Sequence, residues 1–200
     1  CVLTVARYIH QENTVNQCFP EYKRICLIKT STSSGENFLG GYRSGLEKDP
    51  DVEQFTVIYQ ISDMPVLFGE QEIAANAFSV DSTFFKIFPY RVIAGSGRIV
   101  RPRDVVITRS FWMKKLGGKN AIGATFKNTK GNKFTIVGVV DDPDTKTSWT
   151  PDIFMSNELD EFLFFDPIYA MLMASDADIA LLNKKYSKEH PRSKWSTYET

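Results

Sequence analysis

The sequence predicts an α+β domain of two lobes, and three observations predict it. Short runs rich in Val, Ile and Phe alternate with turn residues, which is typical of strands. A strand, a helical pattern and a second strand occupy residues 22–62, and a further strand and helix lie near the end of the sequence. Between them only short strands and short helices are indicated. We therefore predict a β-α-β lobe built from residues 1–63 and 150–200, with a β-rich lobe inserted at 64–149.

The predicted first lobe begins with a strand, a helix and a second strand. Residues 22–30 (YKRICLIKT) form the first strand, and the Ser-rich turn at 31–35 supplies a helix N-cap. The helix ends at Pro50, and its glycines weaken it by about 1 kcal/mol each relative to Ala. Its apolar face consists of Phe38, Leu39, Tyr42 and Leu46. Residues 52–62 (VEQFTVIYQIS) form the second strand.

The predicted inserted lobe begins after a break at residues 63–70. A strand follows at 71–81 (QEIAANAFSVD), and then a short helix at 81–88 with Asp81 as its N-cap. Three aromatic side chains of this helix indicate core packing rather than a ligand site, because helical spacing of large apolar residues is what burial requires. They are Phe84, Phe85 and Phe88. Residues 89–95 (PYRVIAG) form a short strand or an extended turn.

The clearest local unit of the inserted lobe is a strand followed by a helix. The strand occupies 105–107, Thr108 caps the helix, and the glycine pair at 117–118 ends it. The apolar stripe of this helix consists of Phe111, Trp112 and Leu116. A β-hairpin follows and turns at residues 128–132, where Gly131 can adopt a positive φ.

The sequence then returns to the first lobe. A loop at 142–151 leads to strands at 151–156 and 166–175, and Ser175 is the predicted N-cap of a final helix. Acids in its first turn and bases in its last turn complement the helix dipole. Its buried face consists of Ile179, Leu182 and Tyr186. The polar tail at 192–200 is expected to be disordered.

The charge balance argues against one class of function. Lys and Arg total 24, and Asp and Glu total 24, so the formal net charge is zero. A nucleic-acid-binding protein needs a basic field to neutralise phosphates, so we predict no nucleic-acid partner. No run approaches the roughly 20 apolar residues of a membrane helix. The abrupt start, CVLTVA, suggests that the sequence is an excised piece of a longer protein.

The cysteines and histidines do not form a metal-binding pattern. Cys1, Cys18 and Cys26 contain no CxxC spacing, and His10 and His190 lie far apart, so no zinc site is predicted. Cys18 and Cys26 could pair in an oxidising compartment. Alternatively, Cys26 is a small buried residue of a strand and Cys18 is free, which we favour because free Cys packs as a small hydrophobe.

The remaining polar clusters have structural explanations. The acids of DDPD lack the glycine and the distal Glu of a calcium loop, so a solvated turn is favoured; they are Asp141, Asp142 and Asp144. The glycines of AGSGRIVRPRD lead into a strand rather than a helix, which argues against phosphate binding by three arginines; these are Arg98, Arg101 and Arg103. Ser110 lacks a G-x-S-x-G elbow. We therefore predict no catalytic, cofactor-binding or metal-binding residues and no enzyme activity.

The order of several motifs resembles a known family. The segments VDSTFFKIFPYRVIAGS, DVVITRSFWMKKLGGKNAIGATF and FTIVGVVDDP resemble the extracytoplasmic domain of MacB/FtsX-type ABC transporter permeases. Family members have an FF-x-x-F-P element, a V-I-T/S strand before a helix ending near Gly, an I-G step and a V-V-G-V-V-x-D strand. The counterparts here are Phe84, Phe85, Phe88, Pro89, Gly95, Val106, Ile107, Thr108, Leu116, Gly117, Ile122, Gly123, 136–140 and Asp141. The resemblance covers roughly residues 16–190.

The resemblance implies a function and a set of partners. It implies a non-catalytic periplasmic domain of an inner-membrane permease, which couples ATP-driven conformational change to substrate export or partner contact. The implied partners are a cytoplasmic ABC ATPase, a periplasmic adaptor and a second permease copy. Lobe motion would require hinges, which we place at 63–69 and 142–151. The alternative is an extracytoplasmic ligand-binding sensor domain, in which Arg98, Arg101 and Arg103 could bind an anion.

Overall fold

The structure is a computed structural model that describes residues 15–30, 45–158, 167–175, 177–178, 180–182, 184–185 and 193–197. Ten strands occupy this part of the chain: β1 Ile25–Thr30, β2 Val52–Phe68, β3 Gln71–Val80, β4 Val92–Gly95, β5 Asp104–Thr108, β6 Thr125–Asn128, β7 Lys133–Val140, β8 Ile153–Ser156, β9 Pro167–Met173 and β10 Ser193–Thr197. Two short α-helices are α1 Phe84–Ile87 and α2 Arg109–Lys115. Within the described ranges, no helix has both the length and the apolar character needed to cross a bilayer.

All ten strands belong to one hydrogen-bonded sheet of mixed direction. The order is β10-β1-β9-β2-β3-β8-β5-β7-β4, and β6 pairs with both β7 and β2. The parallel pairs are β3 with β8 and β5 with β7, and the other pairs are antiparallel. The predicted α+β class is confirmed. The lobe boundaries at 63/64 and 149/150 remain a prediction.

The two pairings of β6 close part of the sheet on itself. Strands β2, β3, β8, β5, β7 and β6 follow one another by hydrogen bonding and return to β2. We call this closed set of six strands the ring. Its closure depends on two residue pairs between β2 and β6, Val66 with Asn128 and Leu67 with Lys127. Closure removes unpaired edges that would otherwise template association with another chain.

The interior of the ring is a continuous apolar core. Alternate residues of its strands point inward, as the twofold period of a strand requires. The fully buried side chains of this core include Val105, Ile107, Phe126, Phe134 and Ile136, and Phe111 of α2 packs against them. The neighbouring Val106 points to the other face of β5 and joins a second core.

The second core joins the outer wall of the ring to the rest of the sheet. It combines Phe84 and Phe88 of α1, Trp149 of the loop before β8, and Phe154 of β8 with apolar side chains of β1, β2 and β9. The predicted core role of the α1 aromatics is confirmed, since Phe84 and Phe88 are fully buried and Phe85 packs beside them.

A third core covers the opposite face of β1, β2 and β9. It contains Cys26, Val57, Tyr169 and Leu182, together with Leu46. The predicted apolar faces of the first and last helices are therefore buried at Leu46 and Leu182. The other residues predicted for those faces, which are Phe38, Leu39, Tyr42, Ile179 and Tyr186, lie outside the residues whose side chains are described.

The predicted break at residues 63–70 is wrong, because β2 continues to Phe68. Its pairing with β3 shifts register only between Ile61 and Met64, where Asp63 has a φ of 50°. A β-bulge of this kind absorbs an extra residue and increases the local twist without ending the ladder. The chain reverses instead at Gly69, whose φ of 63° favours glycine.

The predicted disorder of the tail is also wrong for Ser193–Thr197, which form β10. This strand pairs antiparallel with β1 at the edge of the sheet, with Trp195 opposite Ile28. A polar sequence is compatible with an edge strand, because backbone groups rather than side chains form the ladder. The side chain of Trp195 lies outside the description.

Four helix caps are predicted; the one at 31–35 lies outside the described residues, and two of the other three need correction. Thr108 caps α2 as predicted, since its Oγ1 accepts a hydrogen bond from the Phe111 N–H at 3.3 Å. Asp81 lies two residues before the N-cap of α1 and accepts the Thr83 N–H at 2.9 Å. In the final helix Asp178, not Ser175, accepts the N–H groups of residues 180 and 181, at 2.9 and 3.0 Å. Composition places acids in this first turn but does not show which one caps it.

We expect Phe88→Ala to destabilise the protein by about 3–5 kcal/mol, the range for truncating a buried aromatic residue. Its ring lies 5.1 Å from that of Phe19 and 5.2 Å from that of Trp149, so a cavity would open at the centre of the second core. Urea denaturation measures the change. The control is Val100→Ala, at a side chain that is 78% exposed, with an expected effect within about 0.5 kcal/mol. Equal effects of the two variants would contradict this packing.

Candidate functional site

The described residues do not converge on a catalytic or metal-binding cluster. No group of three or more His, Cys, Asp or Glu within the described ranges could hold a metal ion. His10 and His190 lie outside those ranges. The remaining candidates for a functional site are the polar clusters, the cavity and the places where the predicted lobes meet.

Two acids of DDPD, Asp141 and Asp142, bind elements of secondary structure. Asp141, only 9% exposed, forms ion pairs with Arg91 before β4 and with Arg109 of α2. Asp142 accepts the Ser110 N–H at 2.9 Å and so satisfies a free donor in the first turn of α2. The prediction of a solvated turn is wrong here: residues 141–143 form no turn, the chain bends only from Asp144 onward, and Asp141 is buried because two guanidinium groups compensate its charge.

The three candidate anion-binding arginines do not form a shared anion site, because two of the three guanidinium groups already contact other side chains. Arg101 binds Asp104 through its Nε at 3.0 Å, and Arg103 lies 5.9 Å above the ring of Phe134. Arg98 is exposed and forms no ion pair with a described residue. The structure thus assigns Arg101 and Arg103 local structural contacts.

Cys18 and Cys26 are free thiols on opposite sides of the sheet. Cys26 is fully buried in the third core, whereas its neighbours Ile25 and Leu27 point into the second core, against which Cys18 packs. Successive side chains of a strand point to opposite faces, so the Cβ atoms cannot adopt disulfide geometry without rearrangement of β1. The interpretation of Cys26 as a buried strand residue with Cys18 free is confirmed.

We predict that both thiols react slowly in the native state. Burial raises the pKa of Cys18 and of Cys26 from 9.0 to about 11, and only the thiolate is nucleophilic. In a Cys1→Ser variant, alkylation by iodoacetamide should keep accelerating up to about pH 11, whereas the urea-unfolded chain should reach its plateau near the ordinary thiol pKa. Because the unfolded state loses these protons first, stability should fall as pH rises above 9. Equal rates in the native and unfolded chains would contradict the assigned burial.

A cavity of about 460 Å³ opens beside the ends of β3 and β8. Tyr59 and Tyr169 contribute to its wall, together with Asp81, Arg101 and Glu158. Both Asp81 oxygens already accept hydrogen bonds, from the Thr56 hydroxyl at 2.8 Å and from a backbone N–H of β2 at 3.2 Å. Two of the three charged groups, Asp81 and Arg101, are therefore engaged in holding the fold.

The two segments predicted as hinges lie next to each other and are linked through Asn76 of β3. The Asn76 side-chain oxygen accepts the Asp63 N–H at 3.3 Å, at the bulge of β2. The Asn76 N–H donates to the Asp152 carboxylate at 2.9 Å, and the Asp152 N–H donates to the Asn76 carbonyl at 2.7 Å. The bulge and the end of the 142–151 loop are therefore held as one structural element.

The loop at 142–151 is also bound by the segment that precedes β1. Asn16, with a φ of 66° and an exposure of 4%, exchanges two side-chain hydrogen bonds with Ser148, at 2.9 and 2.7 Å. Its backbone N–H donates to the Lys146 carbonyl at 2.9 Å. We call this set of bonds the Asn16 latch. Trp149, next to the latch, is a buried core residue.

Sequence reasoning missed Asn16 and Asn76. Asn tolerates a positive φ, so Asn16 was a reasonable candidate for a sharp turn. The partners of the two asparagines are 132 and 76 residues away, at Ser148 and Asp152, and no local pattern identifies contacts at such separations.

Comparisons with known proteins show the family and the fold. The family model described as MacB-like periplasmic core domain matches residues 6–185. A solved domain of a protein assigned as a permease from Porphyromonas gingivalis has a TM-score of 0.70 and 18% identity, covering 90% of this chain and 93% of its own. The periplasmic region of MacB from Actinobacillus actinomycetemcomitans has a TM-score of 0.66 and 14% identity, covering 88% and 89%.

A third solved structure has the same fold. The extracellular domain of the ABC-type transporter YknZ from Gram-positive bacteria has a TM-score of 0.65 and 15% identity, covering 86% of this chain and 99% of its own. No curated protein sequence matches. At these identities the structural likenesses establish the fold, and the family match carries the assignment.

Proposed function

Because this chain belongs to the family of MacB-like periplasmic core domains, we propose that it couples ATP-driven conformational change in a permease to substrate export or partner contact. The family is one of extracytoplasmic domains of ABC transporter permeases and not a family of enzymes. The family implies a membrane part and an ATPase as associates. An inner-membrane location, a permease dimer and contact with a periplasmic adaptor belong to the proposal.

The Asn16 latch supports a route for the coupling. The segment at 15–20 would enter the domain from the membrane side, and Phe19 packs at 5.4 Å from the ring of Tyr90 in the second core. A displacement of this segment would therefore reach the 142–151 loop through Asn16. From there it would reach the bulge of β2 through Asp152 and Asn76. Physically contiguous contacts of this kind can carry coupling between distant sites.

The bulge of β2 is the proposed bending point. A register shift at Ile61/Met64 leaves the ladder locally weaker than the regular pairing on either side. The part of the ring beyond the bulge, where β2 pairs with β6, would then move relative to β1, β9 and β10 by a bend within a continuous strand rather than by rotation about a free linker. The sensor alternative has less support, because Asp81 and Arg101 of the cavity are already engaged by the fold.

The test places spin labels at exposed Lys23 and Thr129 in the full permease assembled with its ATPase. We expect the distance between these labels to change when ATP is added, because Lys23 precedes β1 and Thr129 lies in the β6–β7 turn of the ring. A control pair at Lys114 and Thr129, both carried by the ring and α2, should not change. An unchanged distance for both pairs would overturn the proposal.

We predict that Asn16→Gly reduces the ATP-dependent change by at least about twofold, while the domain remains folded. Glycine keeps the positive φ and removes only the side-chain hydrogen bonds of the latch, which contribute about 0.5–1.5 kcal/mol each. The same label pair gives the readout. The matched control is Ser96→Ala, which removes two local hydrogen bonds between the Ser96 hydroxyl and the backbone of residue 98. A full response in Asn16→Gly would exclude the latch as the route.

A further inference from the structure

The charge of the chain is unevenly distributed. Between Ser82 and Val140, which we call the basic segment, there are twelve Lys and Arg residues and one acid, Asp104, a net charge of +11. Because the whole chain is neutral, the remainder carries the opposite net charge. All twelve basic side chains of the segment are exposed. A field of this size affects association far more than folding.

Most of these cations are not used by the fold. Arg91 and Arg109 pair with Asp141, and Arg101 pairs with Asp104. Apart from Arg103, which lies over Phe134, the other eight are seven lysines and Arg98, and none of them forms an ion pair with a described residue. The available charge is therefore almost entirely lysine.

Three of the seven lysines lie where β6 and β7 meet, and three more lie in or just after α2. Lys127 and Lys133 are directly opposite in the ladder and so point to the same face, and Lys130 lies in the turn between them. Phe126 and Phe134 point inward, which leaves the lysines on the outside of the ring. Like charges directly opposite each other are unfavourable for a strand pair, and an external anion would reduce this repulsion.

Exposed apolar side chains occur in the same segment. Of the five large hydrophobic side chains exposed within the described ranges, four are in it: Val92, Val100, Met113 and Ile122. Ile122 covers β4 at Gly95, where a Cβ would lie 2.7 Å from its Cδ1, so it adjoins the edge strand that begins at Val92. Basic and apolar side chains together are the combination that binds an anionic membrane surface.

We propose that the basic segment docks on an anionic lipid surface, with the β6–β7 lysines as its electrostatic contact. Protein interfaces are depleted in Lys and enriched in Arg and aromatic residues, whereas the available cations here are lysines and the exposed apolar residues are aliphatic. Lysine is a hydrated point charge on a flexible stem, which suits a diffuse layer of phosphate headgroups better than a fixed carboxylate.

The inference rests on the membrane-adjacent setting of the proposed function but not on ATP coupling. Vesicle binding is measured on the chain without permease or ATPase. A failure to bind vesicles would therefore leave the ATP-dependent motion untouched, and an absent ATP-dependent motion would leave vesicle binding untouched.

The experiment is co-sedimentation with vesicles of phosphatidylcholine, with and without phosphatidylglycerol. We expect binding only to the anionic vesicles, lost when salt is raised from about 0.1 M to about 1 M. The K127E/K130E/K133E variant should bind at least about tenfold more weakly, because each Lys near an anionic surface adds to the free energy of membrane binding. The matched control, K23E/K48E/K184E, changes net charge equally at exposed lysines outside the basic segment and should bind nearly as well as the unaltered chain.

Three results would overturn the proposal. One is equal binding to neutral and anionic vesicles, and another is an equal loss in the two triple variants. The third is retention on a carboxylate matrix without vesicle binding, which would indicate an acidic protein as the partner. Circular dichroism of both triple variants checks that they are folded. A separate variant, M113Q/I122Q, leaves the charge intact and tests the apolar contribution; it should bind anionic vesicles more weakly than the unaltered chain.

Discussion

The structure depends on one strand, β2, because its pairing spans two otherwise separate sets of neighbours. Over its first part, β2 pairs with β9, and over its last residues it pairs with β6 to close the ring. Its partner β3 continues along both parts. Cutting or shifting β2 would leave the ring open and β9 without a neighbour on that side. The proposed bend lies at the bulge of Asp63, where the register of β2 with β3 shifts but their ladder continues.

The same strand explains why three cores coexist in one sheet. Ile58 faces the second core and Val57 faces the third, while Ile61 and Val66, beyond Ile58 along β2, face the interior of the ring. Closing the ring turns one face of the sheet inward and leaves the other to pack against α1 and Trp149. Burial on both faces accounts for the mostly apolar sequences of β5, β8 and β9.

Local patterns predicted the local elements well and the long-range ones poorly. The β5–α2 unit and the β6–β7 hairpin follow from Thr108 as a cap and from Gly131, with a φ of 79°, at the turn. The break at 63–70 was wrong because Asp, Pro and Gly mark turns on average, whereas here pairing with β3 on one side overrides them. Ring closure by β6 and the bonds of Asn16 could not be predicted, because they join residues far apart in sequence. The basic segment could have been predicted from the sequence, because its charge is visible when Lys, Arg, Asp and Glu are counted by segment instead of over the whole chain.

The central claim is that β2 makes the ring and the rest of the sheet one cooperative unit with a bend at the bulge. Native-state hydrogen exchange of the amides on either side of the bulge tests it most directly. The account predicts similar opening free energies near Tyr59 and near Leu67, with faster exchange confined to residues beside Asp63. The claim would be contradicted if the ring amides opened as a separate unit with a much lower opening free energy while β9 and the first part of β2 stayed protected.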